Sequence, residues 1–126
     1  MATPLCVAVV DDEAPVRTAL GRLLRVADYQ VIGFASGEEF LASLPARRPD
    51  CVLLDIHMPG LSGLQVRQRL REAGSTLPVV FITANDRTEL ARQGLDPGAA
   101  SVLHKPFTAD DMLGAITVAI GGRGAR

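Results

Sequence analysis

With 126 residues, 48% of them hydrophobic and 21% charged, the chain has room for one globular domain with a real core and none for a second of ordinary size. A formal charge of -1 and a pI near 6.1 give no overall attraction to nucleic acid or acidic membranes, and no basic patch compensates. No apolar run reaches transmembrane length, and the first residues lack the basic region and cleavage site of a secretory signal, so a cytoplasmic module is expected.

Short apolar runs alternate with longer segments of helical periodicity, which predicts five βα units and a parallel sheet covered on both faces. The first strand, Leu5 to Val10, runs into Asp11-Asp12-Glu13. Pro15 then suits the first turn of a helix whose Val16, Leu20, Leu23, Leu24 and Ala27 share one face. A second strand, Gln30 to Phe34, leads to Ser36 as N-cap with Glu39 completing a capping box, and Phe40, Leu41 and Leu44 point inward. Pro45 and Pro49 mark a loop before the third strand, which begins near Asp50 and ends at Asp55.

Met58-Pro59-Gly60 turns the chain, and Ser62 caps a third helix with Val66, Leu70 and Ala73 inward. The fourth strand, Val79 to Ile82, ends at Thr83 and is apolar throughout, as a strand covered on both faces should be. Asn85-Asp86-Arg87 opens a fourth helix, interrupted by Gly94 and ended by Asp96-Pro97-Gly98, that is expected to be short and locally mobile. The fifth strand, Ser101 to His104, precedes Lys105-Pro106-Phe107, and Thr108 with Asp111 caps a last helix that turns Met112, Ile116 and Ile120 to the sheet. The domain is placed at residues 1–120, with 121–126 a glycine-rich tail or the start of a linker. Cys6 and Cys51 fit no zinc spacing and are expected as buried free thiols, a disulfide being the weaker alternative.

Five polar side chains fall at strand ends on one edge: Asp11 and Asp12, Asp55, Thr83 and Lys105. In an open parallel sheet that edge is where ligands collect. Each alone has a plain explanation. Acids after a strand complement a helix N-terminus, an Asp before Met-Pro-Gly serves a turn, a Thr caps a helix and a Lys faces water. Their coincidence favours a site. His57 is read as a solvent-facing loop residue and His104 as solvent-facing on the last strand.

The stretches Val9-Val10-Asp11-Asp12-Glu13, Leu54-Asp55-Ile56-His57-Met58-Pro59-Gly60, Ile82-Thr83-Ala84 and Lys105-Pro106-Phe107 resemble the CheY-like receiver domain of two-component response regulators. Phe34-Ala35-Ser36-Gly37-Glu38-Glu39-Phe40-Leu41 resembles the FixJ-type members. The likeness covers residues 5–120. It implies an α/β fold, a single doubly wound (βα)5 domain with a five-stranded parallel sheet in the order 2-1-3-4-5. It further implies that Asp55 accepts a phosphoryl group from a sensor histidine kinase, with Thr83 and Lys105 assisting. Mg²⁺, with Mn²⁺ as a substitute, would be held by an acid of the Asp11-Asp12 pair, Asp55 and the backbone carbonyl of His57. The Lys105–Pro106 bond is a candidate cis peptide. Such a protein catalyses only its own phosphorylation and dephosphorylation and is not otherwise an enzyme.

Two departures bear on signalling. Receivers usually carry Tyr or Phe three residues before the lysine, where this chain has Val102, and the fourth helix is weaker than the family norm. The expectation is transmission through ordering or shifting of that helix. Output is expected to be transcription through a DNA-binding domain absent from this chain, with a homodimer through the face of the fourth helix and fifth strand as the implied active form. The alternative is a stand-alone receiver for phosphorelay or docking. A flavodoxin-like carrier is disfavoured because Asp11-Asp12-Glu13 would repel a flavin phosphate, and an aspartyl-phosphate phosphatase because its two acids usually lie two residues apart after one strand.

Overall fold

A computed structural model describes residues 4–44, 46–84, 87–95 and 101–124. Their order is β1 (Cys6–Val10), α1 (Ala14–Val26), β2 (Gln30–Phe34), α2 (Gly37–Ser43), β3 (Cys51–Asp55), α3 (Gly63–Glu72), β4 (Val79–Thr83), α4 (Arg87–Arg92), β5 (Val102–His104) and α5 (Ala109–Gly124). The strands form one parallel sheet in the order β2-β1-β3-β4-β5, as the resemblance implies. The register sets Val10 beside Leu54, Leu54 beside Phe81 and Phe81 beside Val102, so the three central strands end within a residue or two of one another.

Strand alternation sends side chains to two cores. Ala8, Val10, Val52, Leu54 and Phe81 pack under Phe40 of α2, Val66 and Leu70 of α3 and Leu90 of α4. Val7, Val9, Leu53, Val80 and Ile82 pack under Leu20 and Leu24 of α1 and Met112 and Ile116 of α5. All five residues of β3 are buried, whereas β2 at the edge is half-buried at most. This is why the chemistry-bearing strand reads as a continuous apolar run.

The helix starts follow their caps. Ser62 accepts from the Gln65 backbone while Gln65 returns a bond to the Ser62 N–H, and Thr108 and Asp111 do the same for α5. At α2, Ser36 accepts from Glu39 N–H, but the Glu39 carboxylate reaches the Ala35 N–H, one residue further back than a capping box requires. Pro15 lies in the first turn of α1.

Two inward assignments fail. Leu23 is 42% exposed, because at 100° per residue the buried arc of α1 is centred between Leu20 and Gly21, with Leu24 inside it, and Leu23 lies outside. Ala73 is exposed because it is the C-cap, one residue past the last turn of α3, at the mouth of a groove shared with Leu41, Leu44 and Leu77. His104 is half-buried instead of fully solvent-facing. Neither cysteine is in a disulfide; Cys51 is buried and Cys6 half-buried. α5 continues in backbone to Gly124, past Ile120. Pro45, Asn85, Asp86 and Asp96-Pro97-Gly98, invoked as loop, helix-start and breaker signals, lie outside the described residues.

Candidate metal centre at the carboxyl edge of the sheet

Asp11 directly follows β1, where its N–H still donates to Phe34 O of β2 at 3.1 Å. Oδ1 of Asp11 accepts from the Glu13 N–H at 2.9 Å and its carbonyl accepts from Arg17 Nη1 at 2.7 Å. Its second carboxylate oxygen, Oδ2, is buried with no hydrogen-bond partner. Such an orphan is costly in a folded protein.

Asp55 ends β3 at 5% exposure, and its Oδ1 accepts from the His57 N–H at 3.1 Å. The chain past it is held to the sheet by Ile56 N–H donating to Ile82 O at 3.0 Å, and Gly63 N–H closes the loop onto Ile56 O at 3.0 Å. Gly63 has to be glycine here: a Cβ would lie 2.5 Å from the Asp55 carbonyl oxygen. Gly60, at φ +75°, turns the same loop, with the Glu38 carboxylate packed against it.

One carboxylate oxygen from each of Asp11, Asp12 and Asp55 lies within 4.8 Å of the others. Asp11 and Asp55 are buried and Asp12 is exposed, so the cluster opens to solvent on one side. Burial is the main force pushing both inner acids above the ordinary aspartate range. At Asp11 the Glu13 N–H and then the Lys105 ammonium oppose it, while Asp12 and Glu13 add to it. At Asp55 the His57 N–H opposes it first, Asp11 raises it further, Lys105 lowers it and Asp12 raises it.

Thr83 ends β4 fully buried, and its carbonyl accepts from the Lys105 N–H at 2.8 Å, which ties the lysine to the same edge. The Lys105–Pro106 bond is cis. The sequence-derived positions therefore converge: three acids within reach of one ion, a cation whose charge both inner acids feel, and a threonine one strand over. The His57 side chain is exposed, which leaves its backbone as the part turned to the site. Val102, at the usual aromatic position, is 7% exposed and pairs with Phe81. Sequence reasoning missed Arg17, whose bond to Asp11 is made to a backbone carbonyl and so leaves no pattern of residue types.

An all-oxygen donor set with an unsatisfied buried oxygen suits a hard divalent cation such as Mg²⁺.

Comparisons with known proteins identify the domain family. The family described as "Response regulator receiver domain" matches residues 7–117. The chain belongs to that family. Its receiver is 41% identical over 110 residues to the response regulator MprA of Mycolicibacterium vanbaalenii, covering 87% of this chain and 48% of that protein. It is 39% identical over 114 residues to the transcriptional regulatory protein TdiR of Thauera aromatica, covering 90% and 50%. The chain thus spans about half the length of the curated relatives it matches. Full-length FixJ from B. japonicum superposes with a TM-score of 0.83 at 33% identity over 95% of this chain and 59% of that one. Receiver domains are the signalling modules of response regulators and typically bind Mg²⁺ at an acidic pocket of this kind. No described helix is long and apolar enough to cross a membrane.

Proposed function

We propose that this receiver is a phosphorylation-controlled switch in which Asp55 is the phosphoacceptor. An oxygen of its carboxylate attacks the phosphorus of a kinase phosphohistidine, the P–N bond breaks, and the imidazole leaves with its electron pair and a proton from solvent. A carboxylate is a weak nucleophile toward an anionic phosphoryl group, so positive charge has to be in place beforehand.

Mg²⁺, held by Asp11 or Asp12, Asp55 and the His57 carbonyl, would neutralise charge on the transferring oxygens when bound. The chain's own residues do the rest. Lys105 supplies a fixed ammonium for the phosphoryl oxygens. His57 N–H holds one oxygen of Asp55, so the other is the one free to attack. Thr83 offers a hydroxyl to the incoming group, and that new bond pulls on the turn between β4 and α4.

The observation that carries the reading is the buried, unpartnered Oδ2 of Asp11 beside two further carboxylates. TdiR, named as a transcriptional regulatory protein, supports an output of that type. A DNA-binding region outside this chain, and a homodimer through α4 and β5 as the active form, are part of the same proposal. The test is to incubate with phosphoramidate and Mg²⁺ and read the intact mass. Wild type should gain one phosphoryl equivalent without continued turnover and Asp55→Asn none. Labelling of Asp55→Asn to the same extent would remove Asp55 from the role.

A further inference from the structure

Arg17, in the first turns of α1, sends Nη1 to the carbonyl oxygen of Asp11 at 2.7 Å, while its own N–H donates to Glu13 O at 3.1 Å. The stem passes over β2 at Gly33, where a Cβ would meet Arg17 Cδ at 3.7 Å. The guanidinium therefore holds the peptide joining Asp11 to Asp12 from outside the pocket. Asp11 is then fixed on three sides: by Phe34 O at its N–H, by Glu13 N–H at Oδ1 and by Arg17 at its carbonyl.

We propose that Arg17 is a positioning residue for the divalent-cation site, orienting the Asp11–Asp12 peptide so that both carboxylates point at the ion that Asp55 also meets. This rests on the reading of the acidic cluster as a Mg²⁺ site. A rotation of that peptide would swing Asp12, which is exposed and whose carboxylate makes no hydrogen bond among the described residues, away from Asp11 and Asp55. Partners that orient metal ligands are worth about 10–100-fold in metal affinity.

The proposal has a sign that a purely electrostatic role lacks. Arg17 is a cation near a cation site, so removing its charge should by Coulomb's law alone tighten Mg²⁺ binding. Loss of positioning should weaken it. Arg17→Met keeps an apolar stem over Gly33 and removes the donor, Arg17→Lys keeps charge and a donor on a differently shaped head, and Arg22→Met removes an exposed charge from the same helix.

Mg²⁺ affinity is measured by calorimetric titration of each variant of this 126-residue chain at neutral pH, alongside the metal-free melting temperature. The expected result is a dissociation constant raised about 10-fold or more in Arg17→Met, an intermediate rise in Arg17→Lys and no change in Arg22→Met. The metal-free melting temperature should move little, since the bond is to a part-buried backbone oxygen at the surface of the sheet edge. Equal or tighter binding in Arg17→Met overturns the proposal, as does a fall in melting temperature with unchanged affinity. If Arg17→Met does not fold, Arg17→Lys is decisive: weaker binding supports positioning and wild-type binding overturns it. Should wild type itself take up no Mg²⁺, the metal-site reading fails first and this inference with it.

Discussion

Asp11 and Asp55 are each held above the ordinary aspartate range chiefly by burial, and each is raised further by neighbouring acids. A carboxyl whose folded pKa exceeds its unfolded value of about 3.9 binds more protons folded than unfolded between those two values. Metal-free stability therefore falls as pH rises through that window, and the penalty persists at neutral pH. Asp55→Asn removes one such group, so its stability advantage over metal-free wild type should be largest near pH 7 and shrink as pH falls toward about 4. Melting temperatures of the pair across that range check it; an advantage that grows on acidification would contradict the burial argument. Lys105 acts in the opposite sense on both acids, and Lys105→Met should slow labelling by phosphoramidate by about 100-fold, the order seen when one stabilising donor is removed from a charged transition state. A burst-quench time course against wild type measures it.

At the level of elements, the site depends on how closely α3 approaches the end of β3. Gly63 opens that helix where a Cβ would collide with the Asp55 carbonyl, and Gly37 opens α2 where a Cβ would collide with the Val66 side chain. Gly63→Ala meets backbone that cannot turn aside, so it should cost about 1–3 kcal/mol by overpacking and, by shifting Asp55, slow labelling as well. Chemical denaturation gives the first figure and the mass assay the second; a stable, normally labelled variant would mean the loop adjusts freely. The described part of α4 is six residues long, and Leu90, with Leu95 just beyond the helix, belongs to the buried cluster that also holds Phe81 and Val102. With valine at the switch position, the change on phosphorylation should appear in the helix itself. Amide exchange over Arg87 to Leu95 should alter when a beryllofluoride phosphoryl mimic is added with Mg²⁺, and unchanged exchange there would rule this route out.

Much of the element pattern was readable in advance because the signals were local. Ser36, Ser62 and Thr108 cap the helices they precede, and the apolar runs of β3, β4 and β5 stop at the polar Asp55, Thr83 and His104 that end those strands. Leu23 and Ala73 were misplaced for a physical reason. A helical stripe gives the direction of burial but not its width, and not where the helix runs past its neighbours. Arg17 was invisible because a bond to a main-chain carbonyl asks nothing of the residue type that accepts it.

For the molecule as a whole, folding and the site are in tension. The register that aligns β1, β3 and β4 brings Asp11, Asp12 and Asp55 together, and two carboxylates about 4 Å apart at an effective dielectric near 20 repel by roughly 4 kcal/mol. A ligand that binds only the folded state returns stability by mass action, about 2.7 kcal/mol at 100 times its dissociation constant. The domain should accordingly gain several degrees of melting temperature with millimolar Mg²⁺, and the gain should follow the occupancy of the acidic cluster. The measurement that bears most directly on this is the melting temperature of wild type and Asp55→Asn at pH 7 as Mg²⁺ is raised from none. The account predicts that the variant starts higher and scarcely responds, while wild type climbs toward or past it. A variant that starts lower, or one that climbs in parallel with wild type, would contradict it.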